Sequence, residues 1–93
     1  MALSSPVQIN VQTMADIGRI AHAVRIAQRI RANEFNLNHQ TVQAVESGSD
    51  TVRVGNVFKY LQELGVRINL ELPPGITLDQ MDKTRMRIPK ATL

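Results

Sequence analysis

The chain has no cysteine and no tryptophan, and its aromatic content is two phenylalanines and one tyrosine. Without thiols there is neither a disulfide framework nor a thiolate metal site, which fits a reducing, cytoplasmic setting. With so few aromatics, the single core that 93 residues can support is expected to consist of Ile, Val, Leu, Met and Ala. A domain this small and aromatic-poor has a physical motive to dimerise. No apolar run approaches the roughly 18 residues of a membrane span, so no membrane partner is expected. The stretch Met1 to Pro6 lacks the basic and apolar regions of a signal peptide. Internal repeats and low-complexity tracts are also missing. The sequence offers no glycine-rich phosphate loop, no paired carboxylates and no Ser-His-Asp pattern, so neither catalysis nor a cofactor is expected. Two histidines, His22 and His39, are too few ligands for zinc.

Eleven basic against eight acidic residues leave a net charge of +3, which says little about partners. Its distribution says more. Arg25, Arg29 and Arg31 crowd together, and Lys83, Arg85, Arg87 and Lys90 load the C-terminal tail. Each cluster fits either a solvated face or a polyanion contact.

Val7, Ile9 and Val11 alternate with Gln8, Asn10 and Gln12, the period of a half-buried strand. Thr13 then offers an N-cap, with Asp16 in the first turn where a carboxylate favours the helix dipole. Met14, Ile17, Ile20, Ala21 and Val24 predict a first helix with one apolar stripe. A second helix is expected from about Ala27 or Gln28 to Glu34, with Ile26 and Ile30 inward. Asn36 can end it in the left-handed conformation. Asn38 can cap a third helix running to about Ser47, stapled by Leu37 and Val42, with Val42 and Val45 inward. Gly48, Ser49 and Asp50 break it. A fourth helix, Val54 to Leu64, has Val54, Val57, Phe58, Leu61 and Leu64 on one face and Gly65 at its end. Val66, Ile68, Leu70 and Leu72 then alternate with polar residues until Pro73 and Pro74. A lone strand is not stable in water. Its partner is expected to be residues 7–12, the same segment of a second chain, or both. In the tail, Thr77 can cap a turn carrying Leu78 and Met81, and residues 85–88 can add a short strand.

Two short helices meeting at a sharp turn describe the DNA-binding helix-turn-helix, whose second helix places its leading residues on base edges in the major groove. That position needs small or polar side chains that both donate and accept. Asn38, His39, Gln40, Thr41 and Gln43 supply them, and no carboxylate follows until Glu46. A glutamine amide can bond N6 and N7 of one adenine together.

The run 28–32, then 36–42, then Val45-Glu-Ser-Gly48 resembles the Xre/Cro-type helix-turn-helix of phage repressors, over residues 13 to 72 without gaps. Residues 51–70 are similar to the HipB-type antitoxin branch, in which a helix ending in Leu-Gly leads into a strand that pairs across a dimer. The resemblance implies a mainly α, four-to-five-helix lambda-repressor-like domain with a short β-strand pairing across a homodimer. Residues 1–12 form an arm, residues 13–72 the domain with its dimer strand at 66–72, and residues 73–93 a tail able to bind a cognate toxin. The function implied is an antitoxin repressing its own operon at a double-stranded operator. His39, Gln40 and Gln43 match base-reading positions. Gln28, Asn38 and Thr41 match phosphate-contacting or capping positions, and Arg25 and Arg29 are expected at phosphates beside them. Glu46 matches a structural position. The sequence departs from the pattern at Arg31, where Leu is usual, at Asn36, where the turn has Gly, and at Arg25, where Gly is common. Arg31 and the modest charge motivate a second reading, a dimeric protein-interaction module that keeps the scaffold and binds no DNA.

Overall fold

In the computed structural model, which describes residues 7–77 and Asp79, Thr13 caps the first helix as its sequence predicts. The Thr13 hydroxyl accepts from the Asp16 amide, and the Asp16 carboxylate accepts in return from the amides of Gln12 and Thr13. Four donors at a helix start need such partners. The amide of Gln12 is foremost in holding the Asp16 carboxyl below its ordinary pKa. Helix α1 then runs Met14–Ala27, up to the point where a second helix was expected to begin.

That second helix does not form. Residues 28–38 are a connection containing one 3₁₀ turn, Ala32–Glu34, followed by helix α2, His39–Glu46, and helix α3, Val54–Leu64. The described residues thus hold three α-helices, not four or five. The reason is that the backbone and side chains of the connection find other partners. Arg29 adopts φ 59°, the left-handed conformation that ends a helix. The Arg25 guanidinium donates to the Ile30 carbonyl at 3.0 Å, and the Glu34 carboxylate accepts from the Arg31 amide at 2.9 Å. These bonds satisfy polar groups that a helix would otherwise have paired. Ile26, expected inward, is exposed.

The core is one cluster of Ala21, Val42, Val45, Val57, Tyr60, Leu61 and Leu64, flanked by Met14, Ile17, Val24, Phe35, Leu37 and Val66 among others. Contrary to the aliphatic core expected, Tyr60 is its largest fully buried side chain. Phe35 meets that ring edge-on at 5.0 Å, a favoured aromatic geometry. Tyr60 also rotates the inward face of α3. Val57, Tyr60, Leu61 and Leu64 point in, whereas Val54 and Phe58, expected inside, are 65% and 46% exposed.

Among the described residues no β-strand forms. Residues 7–12 and 66–72 do not pair within the chain, and Val7, Ile9, Val11, Ile68, Leu70 and Leu72 are exposed, Leu70 to 86%. One chain offers these rows no ladder partner and no second layer to cover them. The expected turn carrying Leu78 and Met81 and the strand at residues 85–88 lie outside the described residues. No described helix is long and apolar enough to cross a membrane.

The approach of α1 to the end of α2 depends on two glycines. A Cβ on Gly18 would lie 2.5 Å from the Val45 carbonyl oxygen and 2.7 Å from that of Glu46. Gly48, at φ 78°, faces Ala15, whose Cα would be 2.8 Å from a Cβ there. Gly18→Ala must push two backbones apart, so a loss of about 1–3 kcal/mol is expected, as for an overpacked core. A fall in the urea unfolding midpoint at unchanged slope measures it.

Candidate nucleic-acid interface

Helix α2 begins at Asn38, whose Oδ1 accepts from the Gln40 amide at 2.8 Å, the cap its sequence predicts. Val42 and Val45 are fully buried, and this pins one side of the helix to the core. A helix turns 100° per residue, so Gln40 and Gln43 fall on the opposite side and His39 on the flank. All three are exposed, and none spends its side chain on a hydrogen bond within the described residues. Thr41 is half-buried on the flank. Gln40, Thr41 and Ala44 share a shallow concavity with Thr51, Val52, Arg53 and Asn56, at the start of α3. Arg53 and Asn56 escaped the sequence reading. Their signal was an α3 N-terminus without any acidic residue in its first turn.

What aims α2 is its last residue. Glu46 accepts from Arg25 Nε at 2.6 Å and from a second guanidinium nitrogen at 2.9 Å, a bidentate pair with side chains only 12% and 10% exposed. His22 Nδ1 lies 2.9 Å from Oε1, and the Tyr60 hydroxyl donates to Oε2. One carboxylate therefore joins α1, α2 and α3. Burial pushes the Glu46 carboxyl up, but the bonds from Arg25, Tyr60 and His22 outweigh it and hold the pKa at about 2. The bond to Glu46 raises the pKa of Arg25, and burial, then the neighbouring carboxylate, raises that of Tyr60.

The remaining expected contacts are scattered. Arg25 is committed to Glu46 and Ile30, so the structure gives it an internal role where a phosphate contact was expected. Gln28 is exposed, yet its amide nitrogen donates to the Leu64 carbonyl at 2.9 Å and ties the end of α1 to that of α3. Arg29 is exposed, and its side chain has no partner among the described residues. Of the expected dimer strand, Val66 packs against the core, while Ile68, Leu70 and Leu72 do not.

A capped helix carrying amides on its outer face, locked from behind by a charged pair, presents hydrogen-bonding groups from a small helical domain in a fixed direction. Over 69 residues the chain is 33% identical to an uncharacterised HTH-type transcriptional regulator of Sinorhizobium fredii (strain NBRC 101917 / NGR234), an alignment covering 70% of this chain and 90% of that protein. No family model matches the chain. No solved structure matches it. The chain belongs to the helix-turn-helix transcriptional regulators.

Because the folded pKa of Glu46 lies below its ordinary 4.5, its stabilisation is complete above pH 4.5 and is lost as pH falls toward 2. The difference amounts to roughly 3 kcal/mol. Thermal melts between pH 5 and 2 should show a shallower acid limb for Glu46→Gln than for the parent, with other carboxylates common to both.

Proposed function

We propose that this chain is a sequence-specific transcriptional repressor that inserts α2 into the major groove as a homodimer. The observation that carries the reading is the leading turn of α2. It is polar, uncharged and turned to solvent, with both glutamine amides available. Gln40, Gln43 and His39 read base edges in this scheme, while Asn38, Thr41, Arg29 and Arg53 meet phosphates. Arg25 acts behind the interface, holding α2 in place, and Gln28 ties α1 to α3. Two such helices would read half-sites about one helical turn apart, roughly 34 Å.

The dimer rests on apolar rows that one chain leaves uncovered: Val54 and Phe58 on α3, and Ile68, Leu70 and Leu72 beyond it. Strand pairing of residues 66–72 between two copies would satisfy backbone groups and bury these side chains together. Within the family, the similarity of residues 51–70 to HipB-type antitoxins supports an antitoxin that represses its own operon, with residues 73–93 as the toxin-binding tail.

One observation favours a second reading. The helix expected to precede the turn is reduced to a 3₁₀ turn, which suits a scaffold whose partner is protein. The two separate in a mobility-shift titration against DNA upstream of the chain's own operon. Preferential, salt-sensitive binding supports the repressor, and Gln40→Ala should reduce discrimination over random duplex by about 5- to 150-fold per half-site, the range of one bidentate base contact. Equal affinity for random duplex counts against sequence-specific repression, and a response flat in salt supports the protein-interaction module. Sedimentation equilibrium should find a dimer in the parent and a monomer in Leu70→Glu.

A further inference from the structure

All three helices end with the same pair of backbone hydrogen bonds. At α1, the amide of Arg29 donates to the Ile26 carbonyl at 3.0 Å and that of Ile30 to Arg25 at 3.2 Å. At α2, Gly48 donates to Val45 at 3.0 Å and Ser49 to Ala44 at 3.1 Å. At α3, Gly65 donates to Gln62 at 3.1 Å and Val66 to Leu61 at 2.9 Å. This is the Schellman motif, and its central residue must be left-handed. Gly48 and Gly65 meet that demand at φ 78° and 81°. At α1 the same position is Arg29, at φ 59°, the one non-glycine residue with positive φ among those described. A side chain with a Cβ is strained there and glycine is not.

The two backbone bonds require a left-handed residue there, but no contact of the Arg29 side chain within the described residues favours arginine over glycine. The Arg29 side chain is exposed and makes no hydrogen bond or ion pair. A cation favours the end of a helix dipole, but Arg25 already occupies the last turn of α1 without left-handed backbone. The turn is also rigid. Gln28 is bonded to Leu64, and the carbonyl of Ile30 is bonded to Arg25, so the residues on both sides of Arg29 are anchored. Strain maintained at an anchored, exposed, unpaired cation marks a binding role.

We infer that Arg29 is kept in a left-handed turn, at the expense of stability, because its guanidinium projects from a fixed backbone as a preset contact for one DNA phosphate. The inference rests on the DNA-binding reading and deepens it. It gives Arg29 a part in affinity, not in sequence choice, since a phosphate contact carries no base information.

Arg29→Gly separates the two effects in a way that a residue of ordinary backbone would not permit. The variant should melt higher, by roughly 4 °C for a domain of this size. It should also bind operator and random duplex less tightly by a similar factor, with the slope of log K against log salt shallower by about 1.8 for the homodimer, about 0.9 for each of its two Arg29 contacts. Arg29→Lys keeps charge and strain, so its melting temperature and salt slope should match the parent. A stabilised Arg29→Gly with an unchanged salt slope would overturn the phosphate contact. A variant no more stable than the parent would overturn the strain. If the parent itself has no salt-dependent affinity for DNA, the DNA-binding reading fails first and this inference with it.

Discussion

A carboxylate at the end of the shortest helix organises this domain. Glu46 is the last residue of α2, and it is gripped by Arg25 from α1, by Tyr60 from α3 and by His22 at its rim. Taking a carboxylate and a guanidinium out of water costs several kcal/mol each unless their hydrogen bonds are replaced. Here they are replaced on both oxygens of the acid, and no buried side-chain polar atom lacks a partner among the described residues. The pair therefore dictates one arrangement of three helices as well as contributing to stability.

That arrangement bears on function because α2 is too short to orient itself. Its eight residues bury only Val42 and Val45, two contacts that would allow the helix to roll. Glu46 at one end and the close approach of Gly18 to the carbonyls of Val45 and Glu46 remove that freedom. The amides of Gln40 and Gln43 then leave the surface in a set direction. The proposed recognition of base edges requires this, since a side chain tethered to a loose helix would give up much of its selectivity to disorder. The connection before α2 contributes in the same sense. It replaces a regular helix with side-chain ties from Arg25, Gln28 and Glu34, each closing a specific backbone group.

The apolar rows outside the core follow from the same economy of aromatics. Tyr60 fills the centre and turns α3 so that Phe58 and Val54 leave it. With Ile68, Leu70 and Leu72 they are the exposed apolar side chains on which the proposed dimer rests.

Local chemistry was legible from the sequence alone. The caps at Thr13 and Asn38, the breaks at Gly48 and Gly65, the bounds of α3 and the outward amides of α2 depend on a residue and its near neighbours, so they could be read along the chain. The family resemblance at the level of a helix-turn-helix regulator was legible for the same reason, because it rests on spacing. Tertiary structure decided the rest. Periodicity could not tell that residues 28–34 would abandon a helix, since the competing partners of that segment include Leu64, far along the chain. Nor could it place Tyr60 inward and Phe58 outward, because both fit an apolar stripe and only a buried carboxylate on another helix distinguishes them. Arg25 looks in sequence like a surface charge, and for Glu46 the resemblance implies a structural position without naming a partner. They are joined because α1 and α2 approach closely enough to exclude water, and separation along the chain says nothing about that distance.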